Sequence, residues 1–521
     1  MTLRFDYDGT GDSYGKWEDP GRLDAWTNSI RSAVAEVRLA GCTNVSAVGV
    51  RMGATLLAAT ASDLGLRSAV LWDPITDGRK FLRRQNLLLS ASMAGSSDTT
   101  YDGVDALGYA FPAAVAEELR QLQLESLMPN LAGLDHVLYA HPTESGLSKA
   151  LLRVITESSN CETLAVAGQV ELLEVSPERS EIPMDALVDI SRWLCTVADD
   201  VLAAIHCQSG RDSIEISDGG RVVAAERARS FGTAQLFGIF TEPVGEMRAE
   251  ASSRPWLVML NNGAETHIGP GRRWVEWSRQ WAALGFRCCR IDLSGLGDSG
   301  VWPGQDRLVI LAPQWMEDAT EIIQELSPEE SPGVVFMGLC SGAHVAIEAA
   351  LSDHPPRGVV ALNAILRENS LRLKDLRNER RRAWRPDPKI IDVISRRNPR
   401  LGQRLARAVR ELHVRSSPFD PFAKAARAGV NVLAIYGPGD IWQFGNDIYW
   451  RRFGVPRLQR RHAFEFVRLR TLDHSLYHRA AQCDVERLVR THLLENYGNA
   501  RDLTNSAEGG GLVDSTSGVR G

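Results

Sequence analysis

The chain has 521 residues, a net charge of −6 and a mean hydropathy of −0.18, ordinary values for a globular protein but a length beyond what one hydrophobic core usually serves. That balance gives no chain-wide ground for nucleic-acid binding, and eight cysteines without a Cys-X-X-Cys fit a reducing compartment better than a disulfide framework or a zinc site. The opening "MTLRFDYDGTGDSYG" lacks a basic n-region and an apolar h-region, and no apolar run approaches the roughly 20 residues of a membrane span, so a cytoplasmic protein with no transmembrane segment is expected.

In chain order, "LRFDYDGTGDS" (3 to 13) reads as a strand ending in a Gly-rich turn, and "TNSIRSAVAEVRL" (27 to 39) as an amphipathic helix. "VSAVGVRMGATLLAATA" (45 to 61), "RSAVLWDPI" (67 to 75) and "HVLYAHPTE" (136 to 144) follow, and the helix-periodic "MDALVDISRWLCTVADDVL" leads to a junction near residue 205. Beyond it, "DSIEISDGGRVVAAERA" and "AQLFGIFTEPVG" read as an antiparallel pair with a Gly-Gly turn, and "PWLVMLNNGAETHIGPG" as a buried strand entering a polar loop.

The earlier landmarks then return in the same order. "CRIDLSGLGDS" (289 to 299) matches residues 3 to 13, and "VVFMGLCSGAHVAIEAA" (334 to 350) matches 45 to 61. "RGVVALNAI" (357 to 365) matches 67 to 75, and "VLAIYGPGD" (432 to 440) lies against 136 to 144. Four ordered matches point to an internal duplication, and apolar strands alternating with amphipathic helices such as "QWMEDATEIIQEL" point to a mostly parallel sheet with helices on both faces. The expected fold is α/β, in two domains. Residues 1 to 205 form a truncated, degenerate copy whose first strands are lost or lie upstream of Met1. Residues 206 to 497 form an intact copy, and the Gly/Ser-rich 498 to 521 a disordered tail.

The chemistry lies in the second copy. In "GLCSG" an apolar run turns into a helix through Gly-X-Cys-X-Gly, a pattern that lifts the central side chain above the sheet and aims the next backbone N–H at an oxyanion. Cys340 is the candidate nucleophile, with a buried structural cysteine as the alternative reading. An acid and a histidine should follow on loops after later strands, and Asp440 and His474 stand in that order. Asp447 and Asp473 compete for the acid role, and His478 for the base. The oxyanion donors would be the N–H groups of Ser341 and Ala264, with Asn262, Glu265, His267 and Trp442 lining the substrate entrance. Neither a metal nor an organic cofactor is required.

"LVMLNNGAETHIGPGRRWVEWSRQWAALGF", "RIDLSGLGDS" and "GLCSGAH" together resemble the α/β-hydrolases, and within them the exosortase A-associated hydrolases and their serine aminopeptidase-like relatives. The resemblance covers roughly residues 210 to 495 well and 3 to 200 in degenerate form. It implies the fold and the triad positions far more than a substrate. Cysteine at the elbow also occurs in dienelactone hydrolases and polyhydroxyalkanoate synthases, so acyl transfer stands beside hydrolysis.

In the first copy the elbow reads "GVRMG", which puts Arg51 where a nucleophile would stand, and arginine cannot act as one. Glu144 falls in the acid position and no histidine aligns with His474, so this copy should be catalytically silent. A buried Arg51–Glu144 ion pair in a scaffold is favoured over an anion site at Arg51.

Residues 367 to 430, where a hydrolase carries its lid, hold 18 Lys+Arg against 7 Asp+Glu, a balance of +11 that leaves −17 for the rest. Such a field suits an acidic partner at the mouth of the site, for instance an acyl carrier, coenzyme A, an anionic saccharide or an anionic membrane surface; solvated helix faces are the plainer alternative. The reading is an acyl hydrolase of esterase or thioesterase type acting on a small or carrier-bound acyl substrate, with an acyltransferase and a non-catalytic scaffold as alternatives.

Overall fold

The computed structural model describes residues 2–92, 103–106, 108–143, 148–173, 180–198, 210, 213–328, 331–366, 418–444 and 454–498. The tail and most of the basic insert therefore lie outside the described residues. The chain divides into two compact units, Met1–Arg211 and Asp212–Gly521.

Among the described residues, the second unit is built on a nine-stranded sheet. Its strands are β7 (Ile214–Asp218), β8 (Arg221–Phe231), β9 (Leu236–Pro243), β10 (Trp256–Met259), β11 (Cys288–Ile291), β12 (Val334–Leu339), β13 (Gly358–Leu362), β14 (Asn431–Tyr436) and β15 (Phe464–Arg468). Across the sheet the order is β15-β14-β13-β12-β10-β11-β9-β8-β7, with β10 to β15 parallel and β7 to β9 antiparallel. The expected antiparallel pair is thus a three-stranded meander, because Gly219 and Gly220, both at positive φ, turn β7 into β8 before the chain reaches β9.

Burial on both faces follows from alternation along each strand. Val258, Phe336, Val359 and Val432 point into a core with the Trp315–Leu326, Ser341–Ala349 and Asp420–Arg427 helices. Their neighbours Leu257, Val335, Val360 and Leu433 enter the core shared with the Arg273–Ala283 and Arg479–Tyr497 helices. From β10 the chain continues to β11 on one side, while β12 lies on the other. The loops leaving β10 and β12 part at this switch point, the place where open α/β sheets bind their ligands. The second unit is a doubly wound α/β domain on a mostly parallel sheet.

The first unit has a four-stranded parallel sheet in the order β1-β2-β5-β6 and a separate β3-β4 pair. These are β1 (Ser46–Val50), β2 (Ser68–Trp72), β3 (Gly103–Asp105), β4 (Ala110–Pro112), β5 (His136–Pro142) and β6 (Cys161–Val166). The order matches β12-β13-β14-β15, and the turns match in detail. Arg51 has φ 54 and ψ −119 where Cys340 has φ 53 and ψ −108, and each begins a helix. Asp73 and Asn363, one residue past β2 and β13, have φ 46 and 45. Asp12 N–H donates to Asp6 and Asp298 N–H to Asp292, at 3.0 and 3.1 Å.

Two expectations change. Residues 3 to 7 are not a strand: the equivalent β11 is held between β10 and β9, and no such neighbours flank this segment among the described residues. The fourth landmark shifts by one residue. Asp73 N–H bonds Ala140 O as Asn363 N–H bonds Ile435 O, so Ala140 corresponds to Ile435 rather than to Tyr436. Glu144 itself lies outside the described residues, and Arg51 instead pairs with Asp73 at 2.8 Å.

The elbow glycines differ between the units in a way that is measurable. A Cβ on Gly342 would lie 2.4 Å from Asn261 O, whereas one on Gly53 would meet only Tyr7 Oη at 3.2 Å. Gly342→Ala should destabilise the second unit by about 1–3 kcal/mol. Gly53→Ala, in a helix, should leave the first unit unchanged or more stable by up to about 1 kcal/mol. Urea denaturation of both variants checks the contrast.

Candidate active site

Cys340 sits at the corner between β12 and the Ser341–Ala349 helix, in backbone space that L residues rarely occupy. The corner is tight because Gly338 faces the first turn of the helix, where an added Cβ would lie 2.2 Å from Gly342 C. Cys340 N–H donates to Leu362 O on β13 at 2.9 Å, and its carbonyl accepts from His344 N–H at 3.1 Å. The thiol is partly exposed at the head of the helix, which supplies the positive end of its dipole.

His474 lies beside it on the loop after β15. Its Nδ1 bonds Asp440 Oδ1 at 2.9 Å, and Asp440 is buried just beyond β14. Hydrogen bonding to Asp440 and then to Cys340 raises the His474 pKa to about 10 against the opposing effect of burial. With Nδ1 on the carboxylate, Nε2 is left for the sulfur. The structure therefore brings Cys340, Asp440 and His474 together.

The competitors have other work. Asp473 accepts the backbone N–H groups of Ser475, Tyr477 and His478 at 3.2, 2.9 and 3.0 Å, which caps the loop that carries His474. His478 is buried, with neither ring nitrogen hydrogen-bonded. Asp447 lies outside the described residues. Trp442 belongs to the Ile441–Phe444 turn directly after Asp440.

The loop after β10 places its residues as follows. Ala264 is at the exposed corner of the turn closed by Glu265 N–H to Asn262 O. The loop amide held at the elbow is that of Gly263, which donates to Ser341 Oγ at 2.8 Å. His267 does not line an entrance: it is buried, with Nδ1 on Asp292 Oδ2 and its backbone N–H on Asp292 Oδ1, both at 2.7 Å. Glu265 accepts from Tyr477 Oη at 2.6 Å and from Asn262 Nδ2 at 3.3 Å, so the β10 loop is tied to the His474 loop.

Three residues at the site escaped the sequence reading. Asp292 accepts from Asn261 Nδ2, Asp298 N–H and both donors of His267, and so fixes the β10 loop from beneath. Burial opposes its ionisation, but these donors outweigh that and hold its carboxyl below the usual range. Asn363 and the side chain of Ser341 are the others. Asp292 and Asn363 both stand in the duplicated landmarks, as partners of Asp6 and Asp73, which was the available signal. His267, Asp292 and Asp298 also come near enough to ligate one cation, but the hydrogen bonds above already use Asp292.

No protein-family model and no curated protein matches the chain. Solved structures similar to it include a dienelactone hydrolase-like promiscuous phosphotriesterase from metagenomic libraries, at 15% identity over 53% of this chain and 100% of the other, with TM-score 0.33. An esterase of Pyrococcus furiosus is 12% identical over 53% and 91%, with TM-score 0.32. An alpha-beta serine hydrolase homologue from Coxiella burnetii is 11% identical over 52% and 96%, with TM-score 0.29.

The raised His474 pKa has a readable consequence. The stability its charge contributes is fully present below its ordinary value of 6.5 and is lost as pH rises through about 10. Histidine-ring NMR titration should find His474 protonated across neutral pH, and Asp440→Asn should move its midpoint down. A wild-type midpoint near 6.5 would contradict the arrangement.

Proposed function

We propose that the second unit is an acyl hydrolase of the esterase or thioesterase type, working through an acyl-enzyme on Cys340. The observation that carries this reading is the convergence of the Cys340 elbow, the His474 ring and the Asp440 carboxylate at the sheet's switch point. His474, oriented by Asp440, holds the Cys340 proton as the imidazolium of a thiolate–imidazolium pair, and the thiolate attacks the acyl carbon. The Ser341 N–H at the head of the helix and an N–H of the Asn262–Ala264 turn face the oxyanion. His474 then protonates the leaving group, and water, activated by the same imidazole, releases the acid. An acceptor other than water would make the same groups an acyltransferase. The charge of residues 367 to 430 favours acyl groups delivered on an acidic carrier or on coenzyme A. The first unit, with Arg51 at its elbow, takes no part in bond making.

No helix among the described residues is long and apolar enough to cross a membrane.

A panel of p-nitrophenyl esters and acyl thioesters of graded length tests the reading. Wild type should turn over some of them, and Cys340→Ala and His474→Ala should each lower kcat/KM by roughly 10³-fold or more. Equal rates in wild type and Cys340→Ala would end the nucleophile assignment, and products that partition to an added alcohol or thiol would identify the transferase.

A further inference from the structure

Cys340, Asp440 and His474 ride on loops after three different strands, and nothing local to any one loop keeps them in step. We infer that Asn363 is the positioning residue that does so, and that it must be neutral because its corner of the fold reaches the elbow side chain. The inference rests on the triad reading above.

Asn363 is fully buried, the first residue after β13, with its backbone in the left-handed region at φ 45. Such a conformation costs energy for an L residue other than glycine and persists where the surroundings over-determine it. The surroundings here do. Asn363 Oδ1 accepts from Gly437 N–H at 2.8 Å, at the start of the loop that carries Asp440. Its Nδ2 donates to Asp473 O at 2.9 Å and to His474 O at 3.2 Å. One acceptor and two donors are engaged, so the amide can face only one way. The preceding residue, Leu362, receives the Cys340 N–H, and Asn363 N–H itself goes to Ile435 O. Residues 362 and 363 thus touch the backbone of all three loops.

The first unit shows what a charge does at this corner. Asp73 has the same backbone conformation and the same N–H bond to the adjacent strand, and its carboxylate reaches Arg51 at the elbow, 2.8 Å away. An arginine there accepts a carboxylate neighbour, but a nucleophile that must lose a proton does not. Aspartate at 363 would set a negative charge near Cys340 and would also turn a carboxylate oxygen on two carbonyls that now accept hydrogen bonds.

The test is the pH profile of kcat/KM on a p-nitrophenyl ester, with thermal melts, for the full chain and its Asn363→Asp, Asn363→Ser and Asp73→Asn variants. Asn363→Asp should lower the rate at neutral pH by roughly 10²-fold, the cost of misplacing a catalytic group. Its acidic limb should move up by about one unit, because a carboxylate disfavours loss of the proton. Asn363→Ser, which keeps part of the hydrogen bonding without charge, should lower kcat with little change in KM and leave the limb in place. Asp73→Asn should keep the wild-type profile. A wild-type limb in a folded Asn363→Asp, or a wild-type kcat in Asn363→Ser, overturns the inference. If Asn363→Asp does not fold, the Asn363→Ser result alone decides. Activity that survives Cys340→Ala would instead sink the triad reading, so the two failures are distinguishable.

Discussion

A close approach of strand and helix backbone governs this molecule. For β12 to turn straight into the Ser341–Ala349 helix, Gly338 must lie against the helix's first turn and Gly342 against Asn261 O, where no Cβ fits. That packing holds Cys340 at φ 53 and so presents its side chain above the sheet with the helix amides behind it. The local strain is carried by a helix whose nine residues are all buried between sheet and neighbouring helices.

Around that corner, buried and half-buried polar side chains fix loops. Asp292 gathers the β10 loop, Asp473 caps the loop of His474, and Asn363 links that loop to the one bearing Asp440. Each holds backbone groups of the loops in place, Asp292 with the side chains of Asn261 and His267 as well, which makes the arrangement costly to deform. The site proposed for Cys340, Asp440 and His474, drawn from three separate loops, needs this kind of support, because small displacements of a reacting group are expensive.

The first unit repeats this geometry with other side chains. Its elbow, its post-β2 corner and its Asp6 turn repeat the backbone of the second unit, yet Arg51 and Asp73 close the elbow with an ion pair. Backbone form and side-chain identity are separable here: the same elbow carries a thiol in one unit and a paired guanidinium in the other.

The sequence by itself determined the strand–helix alternation, the two copies and the triad candidates, because these rest on local period, glycine spacing and chain order. The elbow was legible since only small residues permit it, and Asp440 and His474 since each follows an apolar strand. Tertiary structure decided which polar groups meet. His267 looked like an entrance residue but turns inward to Asp292, and Gly263 rather than Ala264 reaches the elbow. The one-residue shift that sets Ala140 against Ile435 became visible only in the hydrogen bonds of Asp73 and Asn363. Side-chain partners come from strands far apart in the chain, and a register is set by pairing across a sheet, so neither is written in any single stretch of residues.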